Sequence, residues 1–390
     1  EGYNTYYVGK QHFKRAPVER SEFYEKNDYL YSHGYSSWKG PDPHGIDPIN
    51  SAFYKDIEYV NEAKKIIPYL KEPFYLCVSL VNPHDIVLWV LDQIYKQPLG
   101  SVWKYWAGFA HFEAEIDPSI PDLGKSPTDD EDLTSKPSIQ GRYRDIYRKL
   151  LTLESFHDTC YKDKNIIRKF YYSLIKKVNN SFKEIFDVLQ QQESFKDTYV
   201  LYTSDHGDVM GHHGNIWQKW HQWYQESIHV PFFVYHPSMK KPRSINKRVL
   251  TCHHDIFPTI VGLTYHHHFF SVNKELNQYL GVNLEPLINN FIPDIKYFER
   301  KIEFECLDEV TSGNNQVAAF LTLTPIVEKI GYGKYKKLTG SRCIKGTITE
   351  RNGLIYKFGC YYDPDEITPL EYEWYEITSD PYEEHNLFTS

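Results

Sequence analysis

"DTYVLYTSDHGDVMGHHG", residues 197–214, is the stretch on which the fold turns. An apolar, β-prone run at 199–203 passes without a break into Asp205, His206, Asp208, His212 and His213, with glycines at 207, 211 and 214. Open α/β sheets bind ligands beyond the carboxyl ends of their strands, so a strand ending this way marks both the sheet and its working edge. Asp205 offers a divalent cation a hard oxygen and His206 an imidazole nitrogen, while Gly207 lets the backbone turn tightly beneath them. The same aspartate suits a helix N-cap, and the residues alone leave both readings open. His212 and His213 read as turn residues or outer partners of a ligand set, and Asp208 as structural.

The flanking segments supply the rest of the sheet. Upstream, Tyr171, Leu174, Ile175, Val178, Phe182, Ile185, Phe186 and Leu189 recur at helical spacing. "FYLCVSLV" (74–81) is apolar without alternation, as a parallel strand covered on both faces is, and "NPHD" (82–85) ends it at His84. A helix over 53–67, carried by Phe53, Ile57, Val60, Ala63 and Ile67, precedes it and stops at Pro68. The opening "EGYNTYYVGKQHF" reads as a strand at 5–8 running into Lys10 and His12. Downstream come a strand, "VPFFVYHP" (230–237), and a helix in "TCHHDIFPTIVGLTY" (251–265) with Asp255 in its first turn. Strands alternating with helices predict an α/β fold with a doubly wound, mixed, mainly parallel sheet. The main domain is expected over 1–295, with 88–160 an insertion or lid carrying Trp103, Tyr105 and Trp106. Short strands in "KLTGSRCIKGTI", "GLIYKFGCYY" and "EYEWYEI" predict a smaller antiparallel α+β subdomain over 296–390.

Charge and composition exclude several classes. A net charge of -8 gives no basic field, which argues against nucleic acid or an anionic membrane surface as the main partner. No apolar run approaches the ~20 residues that span a bilayer. The six cysteines are widely spaced, with no CxxC pair, and read as buried thiols. Asn179 heads an Asn-Asn-Ser sequon on the predicted helix.

"TSDHGDVMGHHG", followed by "QKW" and "YQESIHVPFFVYHP", resembles the sulfatases of the alkaline phosphatase superfamily. The similarity extends to "GYNTYYVGKQHF", "FYLCVSLVNPHD", "HHDIFPTIVGL" and "EWYEITSDPYEEHNL", all in family order, with 88–160 unmatched. The resemblance implies that Asp205 and His206 ligate one divalent metal ion, calcium first, with manganese, magnesium or zinc as alternatives. It also implies that Lys10 and Lys219 hold the substrate's anionic oxygens, and that His12 and His84 assist at the nucleophile and leaving group. These side chains are expected to converge on one cationic pocket at the rim of the sheet. The implied substrate is a small anionic ester, either a sulfated sugar or an aryl or alkyl sulfate. Secreted, periplasmic or lysosome-like settings follow from the family only, and assembly into a homo-oligomer stays open.

Two family elements are absent. Family sulfatases attack with a formylglycine made from the cysteine of Cys-x-Pro-x-Arg, and none of Cys77, Cys160, Cys252, Cys306, Cys343 or Cys360 has that context. The adjacent pair of metal carboxylates that follows the family's first strand is also missing. Asp129 and Asp130 lie in the polar loop "KSPTDDEDLTSKPS" (125–138), which reads as a solvated acidic loop. A further N-terminal segment holding the nucleophile is therefore expected in the full-length protein, and this chain alone is expected to be inactive. A phosphonate monoester or phosphodiester hydrolase is the enzymatic alternative, and a non-catalytic binding or structural protein the other.

Overall fold

The computed structural model describes residues 2–11, 30–40, 51–84, 86, 116–151, 164–219, 222–239, 249–264, 281–289, 300–307, 343–362 and 371–388. They fall into two compact units, each taken by itself: Glu1–Lys125 with Leu151–Thr198, and Ser126–Leu150 with Tyr199–Ser390. His12, Trp103, Tyr105 and Trp106 lie outside the described residues.

The first unit is built on a parallel sheet in the order β2-β1-β3, from β1 (Asn4–Gly9), β2 (Ser37–Lys39) and β3 (Phe74–Ser79). Successive side chains of a strand face opposite ways, and here both faces are covered. Val8 joins Tyr59, Val81, Leu76 and Val78 on one face, whereas Tyr7 joins Leu30, Trp38, Tyr35 and Cys77 on the other. Val8, Leu30 and Tyr59, the fully buried members, each contribute about 1.5–3 kcal/mol, and the partly buried β3 side chains less. The uniform apolarity of 74–81 follows from this double cover.

Helix α1 (Ser51–Ile66) leads into β3 and packs against α3 (Lys164–Leu189), with Lys64 and Glu184 paired at 2.7 Å. The inner face of α1 carries Asp56, Tyr59, Val60 and Ala63, while Ile57, placed on the apolar stripe by the sequence, is 61% exposed. The stripe is rotated because Asp56 occupies an inner position and uses its carboxylate there. Helix α3 begins earlier than its sequence stripe, its buried residues including Ile167, Phe170 and Leu174, and Asn179 is exposed on it.

In the second unit, β4 (Val200–Thr203) and β5 (Phe232–Tyr235) pair antiparallel, Val200 opposite Tyr235 and Thr203 opposite Phe232. The C-terminal strands form the expected antiparallel sheet, ordered β6-β7-β8-β9 over Lys301–Leu307, Cys343–Arg351, Leu354–Tyr362 and Glu371–Glu376. Asn352 and Gly353, both at positive φ, close the β7–β8 hairpin in the way a two-residue turn requires.

Opposed Gly346 and Gly359 leave a gap among the side chains of the sheet's inner face, and the Trp223 indole fills it, packed with Ile344 and Tyr361. A Cβ at either glycine would come within 2.2 or 2.8 Å of that ring. Beside Trp223 lies a buried polar network. Lys357 pairs with Glu383 and donates to the Trp223 carbonyl at 2.5 Å, and Glu373 accepts from Tyr361 (2.7 Å) and Tyr375 (2.9 Å). Helix α2 (Ser138–Leu151) contributes Gln140, whose Nε2 donates to Glu373 at 3.1 Å.

The loop before α2 corrects half of the sequence reading of a solvated acidic segment: Asp130 and Asp132 are exposed, but their neighbours turn inward. Thr128 is fully buried and Asp129 is 5% exposed, with its Oδ2 capping the Ser126 amide at 3.0 Å, and Lys136 is buried against Glu131 at 3.1 Å. Polar residues that are paired in the interior look in sequence like polar residues in water.

Helix α5 (Ile256–Thr264) follows the short helix α4 (Gln225–Ile228) and the strand β5. The buried Asp255 ahead of α5 caps the Cys252 amide (2.8 Å) and takes Arg300 bidentately at 2.7 and 2.8 Å, which fixes the start of β6.

Candidate active site

Two of the expected site residues leave the parallel sheet from neighbouring strand ends. Gly9 and Ser79, the last residues of β1 and β3, are register partners, so Lys10 follows one end and His84 the turn beyond the other. Gly9 is at φ +106°, and a Cβ there would lie 2.0 Å from the Ser79 carbonyl oxygen. Only glycine lets the strands end this close. The Lys10 backbone is held on both sides: its amide donates to Ser79 O (3.1 Å) and its carbonyl accepts from the Tyr7 hydroxyl (2.6 Å). Asp56 holds the turn after β3, accepting from the Val81 amide (2.7 Å), the Asn82 amide (3.0 Å) and Asn82 Nδ2 (2.9 Å). The His84 amide closes this turn on Val81 O at 3.1 Å.

Asp205, His206 and Lys219 belong to the second unit, which brings them together where β4 ends. Gly207 lies against the backbone of α4. Its amide donates to Ser227 O (2.8 Å), and a Cβ would meet Glu226 O at 2.0 Å. With the turn fixed, His206 Nδ1 lies 2.8 Å from Gly207 O and Nε2 lies 2.6 Å from Lys219 Nζ. A proton on Nδ1 satisfies both contacts, because the carbonyl accepts from Nδ1 and the ammonium donates to Nε2. Asp205 Oδ2 is 3.3 Å from that same Nε2, on a side chain that is 76% exposed. Ser204 Oγ donates to the His206 carbonyl (2.9 Å), and His253 Nε2 lies 2.7 Å from Ser204 O, tying α5's leading turn to the strand end.

This pair fits part of a metal site. With metal–ligand distances of about 2.0–2.4 Å, two adjacent ligands at a right angle sit about 3 Å apart, close to the Oδ2–Nε2 separation. A carboxylate oxygen and an imidazole nitrogen are also chemically suitable. Among the described residues no group of three or more His, Cys, Asp or Glu side chains is placed to hold a metal. The Lys219 ammonium meanwhile engages the nitrogen that a metal would use.

Thiolate chemistry is not favoured at the described cysteines whose titration is perturbed. Burial pushes the Cys77 thiol up to about 11 and raises Cys252 as well, and neither supplies a ready nucleophile.

The sequence reading passed over the groups that hold this loop. Glu131 and Glu226 both face the fully buried His213, at 2.8 Å from Nδ1 and 3.3 Å from Nε2 respectively. Glu131 is 82 residues away in sequence, so no local pattern ties it to the histidine.

The sulfatase family profile matches residues 1–266. The chain belongs to the sulfatase family. Among similar sulfatases, arylsulfatase K of Gallus gallus is 26% identical over 201 residues, which is 51% of this chain and 34% of that protein. Choline-sulfatase of Rhizobium meliloti is 24% identical over 221 residues, 56% of this chain and 36% of that protein. The chain thus spans about a third of the length of these curated relatives. A solved 2-O GAG sulfatase shares the fold at TM-score 0.64 and 18% identity, covering 99% of this chain and 67% of that one. Another sulfatase-fold neighbour, solved with D-glucosamine-2-N,6-O-disulfate, has TM-score 0.55 at 13% identity, covering 99% of this chain and 75% of that one. Among the described residues no helix is long and apolar enough to cross a membrane.

Proposed function

We propose that the full-length protein hydrolyses sulfate esters, with sulfated sugars as its substrate class. The observation that carries this is the gathering of Asp205, His206 and Lys219 at the end of β4, inside the region matched by the sulfatase family. Two neighbours favour the substrate class: the solved 2-O GAG sulfatase and the structure solved with D-glucosamine-2-N,6-O-disulfate.

In this reading Lys219 and Lys10 bind sulfate oxygens, and their ammonium groups stabilise the charge that builds there as the ester bond breaks. Removing one such preorganised donor costs about 10²–10³ in rate. His84 and His12 act at the nucleophile and the leaving group, where an imidazole can donate the proton that a departing alkoxide needs. Asp205 and His206 would hold a divalent cation, calcium or alternatively manganese, magnesium or zinc, which would supply further positive charge at the sulfate. The nucleophile that the sulfatase resemblance implies is a formylglycine made from Cys-x-Pro-x-Arg, and none of the six cysteines of this sequence lies in that context.

The reading is tested by giving the full-length protein a sulfated disaccharide, an aryl sulfate and an aryl phosphonate in parallel. Sulfate release with the disaccharide as the best substrate is expected. Preference for the phosphonate would favour the phosphonate or phosphodiester hydrolase instead, and turnover of none would favour a non-catalytic member.

A further inference from the structure

We propose that His213, gripped between Glu131 and Glu226, is a positioning residue that fixes the loop setting Lys219 against His206. The proposal rests on the reading of Lys219 and His206 as site groups.

The loop between them is a closed excursion. Val209 N donates to Gln218 O (3.2 Å) and Gly211 N to Ile216 O (2.9 Å), so the chain leaves after residue 208, turns, and returns at residue 219. That closure is what puts Lys219 beside His206. Four of its non-glycine residues, Met210, His213, Asn215 and Gln218, are at positive φ between 48° and 74°. Side chains of L-residues stay in this region only where their surroundings hold them. His213, at the far end of the excursion, provides the hold. It is fully buried and stacks on the Tyr224 ring at 3.5 Å and 6°.

Both its ring nitrogens face carboxylates, Nδ1 toward Glu131 Oε2 (2.8 Å) and Nε2 toward Glu226 Oε2 (3.3 Å). An imidazole donates from both nitrogens only when protonated. Burial pulls His213 down, but its hydrogen bonds to Glu131 and Glu226 outweigh this and leave it raised above the ordinary 6.5. The other charged groups packed around it are Lys136, 3.1 Å from Glu131, His212, 3.5 Å from Glu226, and Arg144, whose guanidinium donates to Gly214 O at 3.3 Å.

The connection to the site runs through Glu226. Its carboxylate takes His213, and its carbonyl is the atom that a Cβ on Gly207 would strike at 2.0 Å. A shift of Glu226 therefore moves the turn that carries His206.

The test uses the full-length protein with ¹⁵N-labelled histidine. His213 should show an imidazolium pattern at pH 7. The variant His213→Gln, folded by near-UV circular dichroism, should shift the His206 ring resonances. It should also lower kcat/KM on an aryl sulfate at least tenfold, and the alkaline limb expected of the wild type as the His213 imidazolium loses its proton should be absent. Glu131→Gln, the milder change, should move that limb to lower pH and shift His206 less. Unchanged His206 resonances in both folded variants would overturn the proposal. The resonances report on positioning even if no sulfate ester is turned over, so failure of the hydrolase reading is told apart from failure of this one.

Discussion

Gly207→Ala is the sharpest perturbation of the turn that carries Asp205 and His206. The added Cβ would lie 2.0 Å from Glu226 O and 3.1 Å from Glu226 C. A carbon and a carbonyl oxygen ordinarily approach to about 3.3 Å, so the two backbones must separate by about 1.3 Å. Neither partner is a side chain that can rotate away. Overpacking of this kind costs about 1–3 kcal/mol, and weakening the Gly207 N–H bond to Ser227 O adds about 0.5–1.5 kcal/mol. The expected loss of stability is about 2–4 kcal/mol, read as the shift in urea midpoint at unchanged m-value. A displacement near 1 Å at the site should also lower sulfate turnover by about 100-fold. Gly141→Ala is the control: nothing lies within 4 Å of its Cβ, and it sits inside α2. It should stabilise by about 0.5–1 kcal/mol. A Gly207→Ala protein within 0.5 kcal/mol of wild type and fully active would refute the account of the turn.

Asp56→Ala strips the acceptor from the Val81 amide and from two nitrogens of Asn82. Urea denaturation should show a loss of about 2–4 kcal/mol from the unsatisfied donors, with kcat reduced through the His84 turn. Lys357→Met breaks the fully buried pair with Glu383 and should cost about 3–5 kcal/mol, most of it recovered by adding Glu383→Leu. Failure of the second substitution to recover stability would mean that the pair acts through more than its charge.

The pH dependence follows from His213 and Glu226. His213 lies above its ordinary 6.5, so its contribution is whole below that pH and is lost as pH rises through the folded value. Glu226, pushed up by burial but held lower on balance by His213, lies below its ordinary 4.5. Its contribution is whole above that pH and is lost as pH falls through the folded value. The stability difference between wild type and His213→Gln should therefore be greatest between pH 4.5 and 6.5 and shrink on either side. A flat difference across that range would contradict the coupling.

What could be read in the sequence was whatever repeats locally. The run 74–81 signalled a doubly covered strand because Leu76, Cys77 and Val78 pack on alternate faces. The strand ends bearing Lys10, His84 and Asp205 were visible because each polar cluster follows an apolar run. What stayed hidden depends on partners distant in sequence. Asp56 took an inner helical position for the sake of Val81 and Asn82, and Glu131 and Lys136 looked like solvated loop residues although their partners are His213 and Glu383. Strand β6, "KIEFECL", alternates plainly yet was passed over, being short and charged on its outer face. The turn residues 207 to 219 were read for their chemistry, but the backbone closure that brings Lys219 onto His206 has no signature in composition.

The most direct measurement is sulfate release from an aryl sulfate by the full-length protein and its Lys219→Ala variant, assayed side by side. Wild type should release sulfate, and the variant, folded to the same melting temperature, should show kcat/KM lower by about 10²–10³. No release by wild type, or release by Lys219→Ala at the wild-type rate, would contradict the assignment of this lysine to the sulfate.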